Sequence, residues 1–351
     1  MDITVNLTDK SRINEVDFSN IPFGKVFSDH MFIVEYKDGK WQTPSIQKYD
    51  RIEMSPALLS IHYGQSIFEG MKAYKNSQGE MYLFRPEDNI NRMNKSAERM
   101  CMPPIPTDMF LNGLKELIKI DQNWIPDSPG SSLYIRPVYF AADEFIGVRP
   151  SETYKFIILT CPVTTYYSEP VKVLVETEYS RACPGGTGFA KAAGNYAGAL
   201  YPAKLAQQKG YHQLIWTDAI SHEYVEESGT MNLMAVIDGK LYTPELSTTT
   251  LAGVTRDTVL TVARAWGMEV IEKRLKIAEI IEGIESGKLT ELFGTGTAAT
   301  IAHIILLGYQ GKDYDLPALE NREFSNKVSG YLDNLRTGQI DDPFGWRVEI
   351  K

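Results

Sequence analysis

The tightest local constraint on the fold is the run MNLMAVIDGKLYT, residues 231–243. Two β-favouring stretches flank Asp238-Gly239, a dipeptide that tolerates the positive φ angles of a two-residue hairpin turn. An antiparallel strand pair is therefore expected in the second half of the chain. Before it come a strand at 171–178, a glycine loop, a helix ending before Gly210 and the strand HQLIWTD. After it, VTRDTVLTVARAWG reads as a helix introduced by Thr255 and closed by Gly267. LTELF reads as a strand running into GTGTAAT and then into another helix.

The first half opens with strands, HMFIVEY before a D-G turn and MYLFR, followed by a helix that starts at Pro86. Ile90, Met93, Ala97 and Met100 recur at the three-to-four spacing of a buried face, which puts Arg92 beside the apolar stripe. A second helix begins near Thr107 and Asp108 and carries Phe110, Leu114, Leu117 and Ile118. Two strand-like runs follow, SSLYIRPVYFAA and YKFIILTCPV. TTYYSEP, residues 164–170, lies between two prolines and reads as a linker. The expected organisation is a domain over 1–163, the linker, and a second domain over 171–351.

A chain of 351 residues exceeds the usual single-core size, so two domains with a crevice are expected. Its net charge of -9, with no Lys/Arg-rich run, argues against nucleic acid as a partner. The longest apolar stretches fall short of the ~20 residues needed to span a bilayer, and the start MDITVNLTDK has no signal-peptide core. No membrane association and a cytoplasmic location are the expectation. Three scattered cysteines give no disulfide framework, and five histidines show no metal-ligand spacing, so no metal is expected.

Four stretches carry chemistry. Gly294–Thr297 (GTGT), a glycine turn ahead of an expected helix, would expose backbone N–H groups to an anion, although from the motif alone an ordinary tight turn is the better account. It also fits G-x-G-x-x-A through Ala299, but the following segment lacks the strand and terminal acid of a dinucleotide-binding unit, and no Gly-Lys-Ser/Thr makes it a P-loop. LAGVTRDT, residues 251–258, offers a second such site at Val254 and Thr255, or simply a Thr N-cap. Arg92 adds a fork for a phosphate.

The third stretch, YVEESGTMNLM, places Glu226 and Glu227 before a hairpin, where one carboxylate can hold a pyridinium nitrogen protonated or both are simply solvated. The fourth, GFAKAAGNYAG, sets Lys191 among small residues. Desolvation there favours the neutral amine that attacks an aldehyde, and Tyr196 lies within reach of a ring oxygen; alone, both residues also fit surface and packing roles.

Together these motifs resemble the class IV aminotransferases, the fold type IV pyridoxal-phosphate enzymes, and within them the branched-chain amino acid aminotransferases. The signature runs E-x-G-x-x-N-L at 227–233, L-x-T at 241–243 and L-x-G-x-x-R at 251–256, and FGKVFSDHMF, HYGQSIFEGMKAY, NINRM, SLYIRPV, GGTGFAKAAGNY and FGTGTA extend the likeness across nearly the whole chain. The resemblance implies an α/β (α+β) two-domain fold, with a smaller N-terminal domain, a larger C-terminal domain with a barrel-like sheet, and the active site between them. It further implies a homodimer using pyridoxal 5'-phosphate to exchange amino groups between leucine, isoleucine or valine and 2-oxoglutarate.

By that resemblance Lys191 is the Schiff-base lysine and later the general base, Glu227 the partner of the ring nitrogen and Tyr196 that of the ring hydroxyl. Arg92, Val254, Thr255 and Thr297 hold the phosphate. Phe23, Tyr63, Phe68 and Tyr134 form the apolar substrate pocket, Thr230, Thr297 and Ala298 lie near the substrate carboxylate, Arg136 receives the side-chain carboxylate of glutamate, and Val148 comes from the neighbouring subunit. Two departures stand out: Met234 replaces a usual aromatic, and Ala299 and Ala302 replace a C-x-x-C redox pair found in some animal relatives. A D-amino acid aminotransferase, an aminodeoxychorismate lyase and a binding protein without turnover are the alternatives.

Overall fold

The computed structural model describes residues 2–19, 21–164 and 169–351. Most of the expected linker, 165–168, lies outside the described residues. Contacts divide the chain into two compact units, Met1–Tyr166 with Ala190–Gly194 and Asp333–Lys351, and Tyr167–Phe189 with Asn195–Leu332. The expected second domain, 171–351, therefore gives up its tail. The reason is a strand: Arg347–Ile350 pairs antiparallel with Met81–Phe84 at one edge of the first sheet.

The sheet of the first unit has ten strands. Its centre is the long pair Ser132–Ala141 and Tyr154–Val163, flanked by His30–Lys37 on one side and by Met71–Lys75 and Met81–Phe84 on the other. The helices Pro86–Arg99 and Thr107–Ile120 bury the stripes read from their spacing: Ile90, Met93 and Ala97 on one, Phe110, Leu114, Leu117 and Ile118 on the other. These side chains share a core with Phe32, Leu133, Ile135 and Phe156 from the sheet.

Close approach is enforced at Gly113, where an added Cβ would stand 2.3 Å from Cε2 of the fully buried Phe32. Neither the helix backbone nor that ring has room to yield. Gly113→Ala is therefore expected to cost about 1–3 kcal/mol through overpacking, against the small gain in helix propensity. Urea unfolding would show this as a lower midpoint at unchanged slope, and an unchanged midpoint would contradict the packing argument.

The second unit holds a nine-stranded sheet. The expected hairpin is present as Asn232–Ile237 and Lys240–Pro244, with Asp238 at φ 53° and Gly239 at φ 72°. Leu289–Gly296 lies on the other side of Asn232–Ile237 and pairs in turn with Thr300–Tyr309.

That last strand corrects a helix expectation. IAHIILLGY is a continuous apolar run, which periodicity cannot assign, and its β-branched residues favour the strand that two neighbours then complete, Leu289–Gly296 antiparallel and Val171–Val175 parallel. The GTGT stretch accordingly ends a strand and opens a three-residue turn at 297–299, so no helix dipole stands behind Thr297. A second correction concerns Val254–Ala265: its N-cap is Gly253, and Thr255 is already inside the helix. Among the described residues no helix is long and apolar enough to cross a membrane.

Candidate active site

The predicted site residues fall into two groups, one in each unit. In the first, Lys191 lies on the short segment Ala190–Gly194. Its backbone N–H donates to Ser96 Oγ at 2.9 Å, its carbonyl accepts from the Phe68 N–H at 3.1 Å, and Ala192 bridges to Ile67. The point where the amine leaves the chain is thus fixed by main-chain bonds.

The side chain of Lys191 is half-buried, with Nζ 4.9 Å from the centroid of the Phe68 ring. Arg136 Cζ stands 4.7 Å from that same centroid. Two residues along the strand put Tyr134 on the same face as Arg136, and Arg136 Nη2 donates to the Tyr134 hydroxyl at 3.0 Å. Tyr134 meets Phe23 edge-to-face at 5.1 Å. Phe23, Phe68, Tyr134, Arg136 and Lys191 are therefore one connected set. Tyr63 and Val148 are 43% and 89% exposed.

Arg92 is buried on helix Pro86–Arg99, with Asn89 and Ser96 at three and four residues' distance on its face. Its Nε and Nη2 donate to the two oxygens of Glu69 at 2.7 and 2.8 Å, and Asn89 Nδ2 adds a bond of 2.9 Å. Burial pushes the Glu69 carboxyl up, but the charge and bonds of Arg92, the charge of Lys191 and the Asn89 bond outweigh it and hold Glu69 below the ordinary value. Glu69 was missed in the sequence. Its signal is a carboxylate inside the strand-like run SIFEGMKAY, because a buried charge demands a partner.

In the second unit Glu227 is 3% exposed on the strand Val225–Ser228. Its Oε1 accepts the Leu251 N–H at 2.7 Å, and its Oε2 lies 3.3 Å from Arg181 Nε. Arg181, also missed, donates through Nη2 to the carbonyls of Thr249 and Gly188. The alternative of two solvated loop carboxylates fails for both Glu226 and Glu227, which are buried.

Helix Val254–Ala265 has no side-chain cap among the described residues, so the N–H groups of its first turn are presented without an internal acceptor from a cap. Thr255 there is 5% exposed. Thr297 and Ala298 are half-buried in the turn before Thr300, whose φ of 59° is unusual for a β-branched residue and stores about 1–3 kcal/mol of strain beside them. Tyr196 is half-buried on the short helix Ala193–Gly198, and Thr230 is exposed in the turn after Glu227.

The donor sets fit a phosphorylated pyridine aldehyde. A helix start without a side-chain cap suits the phosphate, a buried carboxylate oriented by a guanidinium suits the ring nitrogen, and a fixed lysine suits the aldehyde.

Residues 66–306 match the family described as Amino-transferase class IV, and the chain belongs to that family. It is 42% identical over 352 residues to the Branched-chain-amino-acid aminotransferase 2 of Bacillus subtilis (strain 168), an alignment covering 99% of this chain and 97% of that protein. The crystal structure of the Escherichia coli branched-chain amino acid aminotransferase superposes with a TM-score of 0.75 at 25% identity, covering 92% of this chain and 99% of the other. A branched-chain aminotransferase from Thermobaculum terrenum in its PLP-form shares the fold, with a TM-score of 0.72 at 21% identity and 91% and 98% coverage.

Proposed function

We propose that this chain catalyses the reversible transfer of the amino group between leucine, isoleucine or valine and 2-oxoglutarate, with pyridoxal 5'-phosphate as cofactor. Identity of 42% with the Bacillus enzyme along both chains supports the reading. The structural observation that carries it is the Phe68 ring. It has the Lys191 amine 4.9 Å from its centroid and the Arg136 guanidinium 4.7 Å away, so an apolar wall and a carboxylate receptor accompany one reactive amine. A pocket serving both a branched alkyl chain and the glutamate side chain needs that combination.

Pyridoxal phosphate, when bound, supplies an aldehyde for the substrate amine and a ring that accepts the electron pair left at Cα. Lys191 would bind it covalently and, once displaced by substrate, would take the Cα proton at Nζ. Glu227, oriented by Leu251 and Arg181, would keep the ring nitrogen protonated, and Tyr196 would face the ring hydroxyl. Val254, Thr255 and Thr297 would donate to the phosphate, joined by Arg92, whose guanidinium plane is set by its fork to Glu69. Phe23, Tyr63, Phe68 and Tyr134 would enclose the alkyl group and Arg136 the side-chain carboxylate, with Thr230 and Ala298 beside the α-carboxylate.

The same reading carries a cytoplasmic homodimer in which Val148 reaches the second copy. The exposed apolar run Phe145, Ile146 and Val148 supports that, at 40, 67 and 89% exposure. Purified protein with pyridoxal phosphate, leucine and 2-oxoglutarate is expected to form glutamate and a branched 2-oxo acid in equal amounts. Bound cofactor without any glutamate would establish a binding protein instead. Initial rates on leucine, isoleucine and valine rank the three.

A further inference from the structure

Glu226 and Glu227 are consecutive on a strand, where alternation normally sends neighbouring side chains to opposite faces. Here the ladder is irregular. Trp216 pairs with Glu227 and Thr217 with Val225, which leaves Glu226 as the extra residue of a β-bulge. A bulge re-aims side chains and lets two neighbours serve one locality, and the bonding shows it. Arg181 pairs with Glu227 Oε2 at 3.3 Å and donates to the Thr249 carbonyl, while the hydroxyl of the same Thr249 donates to Glu226 Oε1 at 2.5 Å. Glu226 is 8% exposed, and among the described residues its Oε2 has no hydrogen-bond partner.

A buried carboxylate with one oxygen unbonded is unfavourable as an anion, whereas the neutral acid tolerates the site. We propose that Glu226 is a proton-controlled positioning residue of the Glu227–Arg181 pair. As the neutral acid it leaves the guanidinium to Glu227, and as the carboxylate it competes for that guanidinium and loosens Glu227. The consequence for the cofactor rests on the reading of Glu227 as partner of its ring nitrogen.

The surrounding charges agree. Burial pushes Glu226 up to about 7, opposed by the Thr249 bond and the charge of Arg181 and reinforced by Glu227 and Asp218. Asp218 itself is an anion: burial raises it, but backbone N–H groups of Ser221 and Tyr224 hold it at about 2. Tyr224, Glu245 and Arg274 line, with Glu226, a cavity of about 300 Å³.

The test compares the full-length protein with Glu226→Gln, which keeps the acceptor for Thr249 and cannot ionise. In ¹³C-glutamate-labelled protein without added cofactor, one carboxyl resonance is expected to titrate near pH 7 and to be missing from Glu226→Gln. Thr249→Val, which deletes the bond favouring the anion, is expected to move that midpoint upward. Equilibrium dialysis is expected to show pyridoxal phosphate affinity weakening several-fold between pH 6 and 8 in the parent relative to Glu226→Gln. A Glu226 midpoint in the ordinary glutamate range, or the same pH dependence in parent and variant, overturns the proposal. Absence of transamination at every pH in both proteins would count against the proposed function while leaving the carboxyl titration to be read on its own.

Discussion

Lys191→Ala is expected to lower the rate of leucine transamination by about 10²- to 10⁴-fold, the range that a positioned general base contributes. Its fold should survive, because the three links that hold the segment use main-chain atoms: the bond from the Lys191 N–H to Ser96 Oγ, the bond from the Phe68 N–H to the Lys191 carbonyl, and the bridge from Ala192 to Ile67. What alanine removes is the amine beside Phe68 and a positive charge felt by Glu69. The two consequences separate by measurement. Thermal unfolding should change little, whereas the single-turnover rate with leucine collapses and added methylamine, a small base able to enter the space left, restores part of it. Retention of more than about a tenth of the parent rate, far above the loss expected for a missing base, would take the proton-transfer role away from Lys191.

Local chemistry made much of this molecule readable. Asp238-Gly239 marked its hairpin because few other residue pairs accept two positive φ angles. Helix Pro86–Arg99 followed from Ile90, Met93 and Ala97, and the same spacing set Arg92 beside the apolar stripe, where the structure buries it. Strand Thr300–Tyr309 escaped because an apolar run without alternation fits a buried helix and a central strand alike; the decision comes from neighbours more than a hundred residues away in sequence, such as Val171–Val175. The terminal segment was misplaced for the same reason, since Arg347–Ile350 finds its partner at Met81–Phe84.

Among the residues proposed for the site, those on signature motifs could be named from the sequence and those that hold them could not. Glu69 and Arg181 have no local periodicity of their own: their roles exist only once Arg92 and Glu227 are placed opposite them. The bulge at Glu226 is likewise a property of two strands, invisible in either alone. The resemblance alone proposes Arg136 and Tyr134 for one pocket; on the strand Ser132–Ala141 the two are neighbours, since positions two apart face the same way.

Glu69 and Arg92 lead to the second large effect. Glu69 is fully buried and Arg92 nearly so, and the guanidinium covers both carboxylate oxygens. Removing one partner strands the other charge, so Arg92→Met is expected to lower the unfolding free energy at pH 7 by about 3–5 kcal/mol. The pH dependence follows from the sign of the shift. Glu69 is held below its ordinary value of 4.5, so the pair's contribution is complete above that pH and disappears as pH falls through the lower folded value. In Arg92→Met burial loses its chief opponent, the Glu69 carboxyl takes up a proton more readily, and the gap between parent and variant narrows in acid. Replacing both, Arg92→Met with Glu69→Leu, removes the stranded charge and should recover much of the loss, while also removing the arginine proposed for the cofactor phosphate. Denaturant titrations of the three proteins at pH 7 and in acid decide the matter. A single-variant loss below about 1 kcal/mol, the range of an exposed ion pair, would show that Glu69 is not held in a dry interior by Arg92.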